Sequence, residues 1–199
     1  MLCRMDAVRL SALSATLAGT GLLDVTRAFG GALHRSVTRR AAAGLLLVGT
    51  EQYEPWHLAA HLDEEAAFSG IGALAPVLVR HEVPAAAPAH LAHGLRRLGA
   101  APRGATVLVV APHAPGEGLL ERVEDARRGG ATVLALDAGD AELGALAHER
   151  LAVPVAGEGP FDLVQHLVGA AASVPPARGL RSRLADLAER MVAPPVLRW

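Results

Sequence analysis

The stretch Ala105 to Asp137, ATVLVVAPHAPGEGLLERVEDARRGGATVLALD, constrains the fold more than any other part of the chain. Val107 to Ala111 is a short apolar run, as expected for a strand covered on both faces. Pro112 to Gly118 is rich in turn residues and reads as a loop. Leu119, Leu120, Val123 and Ala126 then recur at helical spacing, while Glu121, Glu124, Arg127 and Arg128 face the other way. Gly129-Gly130 stops that helix, and Val133 to Leu136 is the next buried strand. A parallel βαβ unit of this kind puts the loop before its helix at the carboxyl edge of the sheet, where open α/β folds bind ligands.

A length of 199 residues suits one domain with a sizeable core and some helical decoration. With 51% hydrophobic residues the chain favours a buried sheet over disorder. A formal net charge of −1 gives no electrostatic footprint for nucleic acid. The longest apolar run, Ala41 to Val48, is too short to span a membrane, so no membrane partner is expected. No apolar segment follows Arg4 and Asp6, so no signal peptide is expected. Cys3 is the only cysteine, which points to the cytoplasm. Every basic residue apart from histidine is an arginine. Without a lysine, Schiff-base catalysis and a phosphate-loop lysine are both excluded, and kinases and P-loop ATPases with them.

Along the chain, residues 6–19 and about 22–40 read as helices, the second with Leu22, Val25, Phe29, Leu33 and Val37 on one stripe. Leu45 to Val48 is the first strand, and a helix from about Pro55 to Phe68 follows it. Pro76 to Arg80 is the second strand, Pro84 to Pro88 a linker, and His90 to Leu98 a helix. After the central βαβ unit come a short helix (Ala141 to His148), a fifth strand (Leu151 to Val155) and helices over Pro160–Ala172 and Leu180–Val192. Two helices followed by five strands alternating with helices predict an α/β fold. The expected form is a doubly wound five-stranded parallel sheet in a flavodoxin-type three-layer sandwich with N-terminal helices. The expected division is a helical segment at 1–43, the α/β domain at 44–172 and a helix and tail at 173–199.

Over roughly residues 40 to 172 the chain resembles the sugar isomerase (SIS) family of phosphosugar-binding domains. The resemblance rests on the Gly49-ended first strand, the loop His113-Ala114-Pro115-Gly116-Glu117-Gly118, the helix ending in Gly129-Gly130-Ala131 before an apolar strand, and Leu143 to Pro154 leading into the fifth strand. The family grips a sugar phosphate with loop hydroxyls and backbone amides. In this chain the hydroxyl positions read His113, Pro115 and Gly118, and Gly116 alone matches. Backbone amides at the helix start after Gly118 remain available to an anion, although Pro112 and Pro115 each remove a donor and Glu117 adds negative charge. In the first loop, Gly49, Thr50 and Glu51 stand where the family has a Gly/Ser-rich phosphate loop. Thr50 offers a hydroxyl, whereas Glu51 and Glu54 repel phosphate unless neutralised, for example by a bound divalent ion.

His57 and His61 lie at i and i+4 on the helix after the first strand. They share one face and can converge on a metal; the alternative is a solvated surface pair among nine histidines. The segment resembles the corresponding helix of the phosphoheptose isomerases, a zinc-binding SIS branch with a His and, four residues on, a Glu as ligands. Here the second position is His61. The resemblance implies a third ligand from the late helix, which contains Gln165 and His166. Glu64 and Glu65, one turn beyond His61, are the candidate bases, and His113 in the edge loop is a third candidate or a phosphate donor.

Two functional readings result. The first is a zinc-dependent aldose–ketose isomerase of the phosphoheptose type acting on a small phosphorylated sugar. The second is a non-catalytic sensor or scaffold with a decayed phosphate site. Another kind of nucleotide-binding domain ranks behind both, because no Gly-x-Gly-x-x-Gly follows the first strand. The resemblance further implies a homodimer or tetramer.

Overall fold

The segment TVLVVA leaves no polar side chain free to face water, and all six of its residues are buried as strand β3 (Thr106–Ala111). In the computed structural model, which describes residues 21–153 and 158–174, β3 is the centre of the sheet. On one side it pairs with β1 (Leu45–Val48), which pairs in turn with β2 (Pro76–Val79). On the other side it pairs with β4 (Thr132–Asp137), followed by β5 (Glu149–Ala152). All pairings are parallel and the order is β2-β1-β3-β4-β5. Pro76 opens β2 at the sheet's outer edge, where a missing N–H is tolerated.

The chain turns outward from β1 in one direction and from β3 in the other. The switch point therefore lies between the carboxyl ends of β1 and β3, where a doubly wound sheet leaves a crevice. One face of the sheet is covered by α1 (Leu22–Thr38), α2 (Trp56–Ser69) and α6 (Glu158–Ser173), with Phe29, Leu33, Leu58, Leu62, Phe161 and Val168 packed on Leu47, Leu108 and Leu134. The other face is covered by α3 (Arg96–Gly99), α4 (Glu117–Arg128) and α5 (Ala141–Leu146), with Leu98, Leu119, Val123 and Leu143 on Val107, Val109 and Val133. Each fully buried Leu or Val in these two layers contributes roughly 1.5–3 kcal/mol of transfer free energy. The expected α/β class and five-stranded parallel sheet are both observed.

Several boundaries differ from the sequence reading. Helix α4 begins at Glu117 with Gly116 as its N-cap, so Glu117 and Gly118 belong to its first turn and not to the loop. The helix expected over 90–98 is instead a 3-10 turn (Ala89–Leu91) and the short α3. Between them the chain is held extended, with Arg80 N donating to His93 O at 2.8 Å and Gly94 bridging to Arg80. Strand β5 starts at Glu149, because an edge strand with only Leu151 buried carries polar residues that an apolar-run reading passes over. The helices expected over 6–19 and 180–192 lie outside the described residues.

Candidate metal centre and ligand edge

His57 sits in the first turn of α2 and His61 in the second, one above the other as i,i+4 spacing requires. Helix α6 packs beside α2 and brings His166 against both rings. The ring centroids lie 4.6 Å apart for His57–His61, 4.3 Å for His57–His166 and 3.8 Å for His61–His166, all edge-to-face. The Nε2 atoms of His57 and His166 are 2.5 Å apart, and one ligating nitrogen from each of the three rings lies within 4.8 Å of the others. His57 is exposed, and the other two are partly buried. Among the described residues this is the only such group of metal-ligating side chains.

The donor set fits zinc. Three tetrahedral ligands about 2.1 Å from zinc stand roughly 3.4 Å from one another, a separation bracketed by the observed spacings. Gln165, immediately before His166, is fully buried, and its Oε1 has no hydrogen-bond partner among the described residues. Glu64 Oε2 is 3.8 Å from His61 Nδ1, too far for a hydrogen bond but beside the cluster. Glu65 is partly buried, and its carbonyl accepts from Ser69 Oγ at 2.6 Å. Burial pushes the carboxyl of Asp63, on the same helix, above the usual carboxylate range.

Strand β1 ends in Gly49, and the chain turns back at once, with Tyr53 N donating to Thr50 O at 3.1 Å. This first loop is anchored at two points. Tyr53 OH receives a hydrogen bond from Gln165 Nε2 at 2.8 Å and donates to Asp162 Oδ1 at 3.4 Å, which ties the loop to α6 one turn before His166. Glu54 accepts from Arg80 Nε at 3.0 and 3.1 Å and from Trp56 Nε1 at 2.7 Å, and the Arg80 guanidinium stands 5.2 Å from the Trp56 ring centroid. Neutralisation of Glu54 therefore needs no metal; Arg80 supplies it. Glu51 is exposed in the turn. Thr50 is fully buried, and its hydroxyl has no partner among the described residues. His81, just past β2, places Nε2 3.0 Å from Gly49 O, consistent with the turn role its position suggests.

The other edge loop is different. His113, Ala114, Gly116, Glu117 and Gly118 are exposed, Pro115 is buried, and no side chain caps α4. The loop leads into the opposite helical layer, and His113 does not join the three histidines in the metal-ligating group. Sequence reasoning missed the Tyr53–Asp162–Gln165 network and the Glu54–Arg80 pair. Asp162 and Gln165 share a helix face at i,i+3, but no local signal connects either to a tyrosine more than a hundred residues away.

No family model matches the chain, and no curated protein matches it. Solved structures do match. The sugar isomerase domain of an RpiR transcription factor from Sphaerobacter thermophilus superposes with a TM-score of 0.51 at 18% identity, over 83% of this chain and 86% of that one. The chain has the fold of a sugar isomerase domain. A candidate phosphosugar isomerase from Silicibacter pomeroyi DSS-3 (TM-score 0.50, 20% identity, 87% of this chain) and a candidate sugar-binding protein from Salmonella typhimurium LT2 (0.50, 16%, 85%) also superpose on it. The chain spans 50% of the length of each of those two. The fold implied by the sequence resemblance is thus present. No helix among the described residues is long and apolar enough to cross a membrane.

Proposed function

We propose that this SIS-fold protein is a metal-dependent aldose–ketose isomerase of the phosphoheptose type, acting on a small phosphorylated sugar. The observation that carries the reading is the convergence of His57, His61 and His166 from two helices within 4.8 Å. These three imidazoles are the residues that would hold zinc. When bound there, zinc supplies a Lewis acid that polarises the sugar's carbonyl and hydroxyl oxygens. The chain's own part is proton movement and positioning. Isomerisation takes a proton from one carbon and returns one to its neighbour; Glu64, whose carboxylate lies 3.8 Å from His61 Nδ1, is the candidate to hold that proton, with Glu65 the alternative. The buried Gln165 amide and Tyr53 fix α6 against the first loop, which keeps His166 in register with α2. The reading includes self-association as a dimer or tetramer in the cytoplasm.

A second reading, a non-catalytic phosphosugar sensor or scaffold, is favoured by one observation: the exposed loop 113–118 presents no hydroxyl side chain. Turnover separates the two. The isomerase reading predicts interconversion of aldose and ketose phosphates by zinc-loaded protein. It also predicts a loss of at least about a hundredfold in His61→Ala, the upper range for disturbing a metal's ligand environment. Unchanged metal content and turnover in that variant would sink it. Binding of sugar phosphates without turnover in the wild type would instead establish the sensor.

A further inference from the structure

Arg80 is fixed on one edge and one face. Its Nε is bound to both Glu54 oxygens, its guanidinium carbon lies over the Trp56 ring 5.2 Å from the centroid, and its side chain is only 18% exposed. The terminal nitrogens Nη1 and Nη2 make no hydrogen bond to any described residue. Four of the five N–H groups of a guanidinium are therefore available, in a rigid fork held by its neighbours. The fork's position is set by strand register. Val48 pairs with Val79, so Gly49 and Arg80 follow side by side at the carboxyl edge of the sheet, and the His81–Gly49 contact confirms that the strands stay together there. Next to Gly49 is Thr50, whose hydroxyl is fully buried and without a partner among the described residues.

We propose that Arg80 is the oxyanion seat of this domain: Nη1 and Nη2 grip a phosphate monoester in the bidentate manner that matches a guanidinium to two phosphate oxygens. The task that hydroxyls of a Ser-rich loop would perform has no side chain to perform it in loop 113–118, whereas Arg80 stands at the same sheet edge with a preformed fork. Glu54 cancels the net charge of Arg80 while holding it in place. Selectivity then comes from directed hydrogen bonds more than from charge, and lysine does not substitute for arginine. The inference rests on the sugar-phosphate reading for its ligand class, but on neither the metal nor turnover.

The test is calorimetric titration of inorganic phosphate into metal-free wild type, Arg80→Lys and Glu54→Gln. Wild type is expected to bind saturably. Arg80→Lys is expected to weaken binding at least tenfold. Glu54→Gln keeps an acceptor for Trp56 and Arg80 while removing the opposing charge, and is expected to tighten binding several-fold. A merely structural role for the pair predicts weakening or no change in Glu54→Gln, and that variant decides the matter if Arg80→Lys does not fold. Arg80→Lys within twofold of wild type, no tightening in Glu54→Gln, or no saturable binding by wild type would each overturn the proposal. Phosphate binding at Arg80 without isomerisation leaves it standing and removes the isomerase reading; isomerisation with an unchanged KM in Arg80→Lys does the reverse.

Discussion

Replacing Asp137 with alanine is expected to lower the thermal unfolding midpoint by about 6–12 °C. Asp137 ends β4, is fully buried, and accepts four hydrogen bonds. Gly139 N and Asp140 N donate at 2.6 and 2.9 Å, which shapes the turn into α5, and Arg150 donates Nε and Nη2 at 2.8 and 2.7 Å from the neighbouring strand. The hydrogen bonds to Asp137 raise the Arg150 pKa further, against the desolvation that lowers it. Alanine leaves two loop amides unsatisfied and a guanidinium without its counter-ion. Breaking a buried pair costs about 3–5 kcal/mol, and because the Arg150 side chain is 32% exposed and can turn to water, the lower end applies. At roughly 2–4 °C per kcal/mol for a chain of this size, the stated shift follows. Calorimetry checks it; a shift of less than about 2 °C would show that the pair is not structural.

Gly49→Ala is expected to destabilise the protein by about 3 kcal/mol and to weaken metal and phosphate binding together. A Cβ at this position would stand 1.8 Å from the Tyr53 carbonyl oxygen and 2.8 Å from Pro55 Cδ. The nearest obstacle is backbone, which yields only if the Thr50–Tyr53 turn opens. Opening it carries Tyr53 away from Asp162 and Gln165, and Glu54 away from Arg80, so both anchors of the first loop go at once. Gly116, the N-cap of α4, is the control: a Cβ there meets nothing within 4 Å and its φ of −71° suits alanine. Gly116→Ala should cost no more than about 1 kcal/mol in urea unfolding, the cost of a poorer cap residue and well below that of Gly49→Ala. Equal destabilisation by the two variants would contradict the close approach at Gly49.

The fold was largely legible because parallel strands buried on both faces must be apolar throughout, and LLLV, TVLVVA and TVLALD have few other uses. Legibility failed where burial is one-sided or the chain is held by a distant partner. Strand β5 is polar on its exposed side, and the 90–98 segment breaks into a 3-10 turn and the short α3 because His93 and Gly94 between them pair with Arg80. At the site, His57 and His61 could be read from helical spacing alone. His166 came only from the resemblance, since spacing along a sequence says nothing about which faces of two separate helices meet. Arg80 and Glu54, 26 residues apart on different loops, carry no pattern that pairs them. The turn-rich composition of Pro112 to Gly118 predicts a loop throughout, whereas its last two residues form the first turn of α4.

The measurement that bears most directly on the three-histidine centre is the metal content of the purified, untagged protein, with His57→Ala beside it. One zinc per chain in the wild type, lost in the variant, with the metal-free forms of the two proteins melting at the same temperature, is the predicted result. A wild type that carries no metal and takes up none on titration with zinc would contradict the centre, and with it the isomerase.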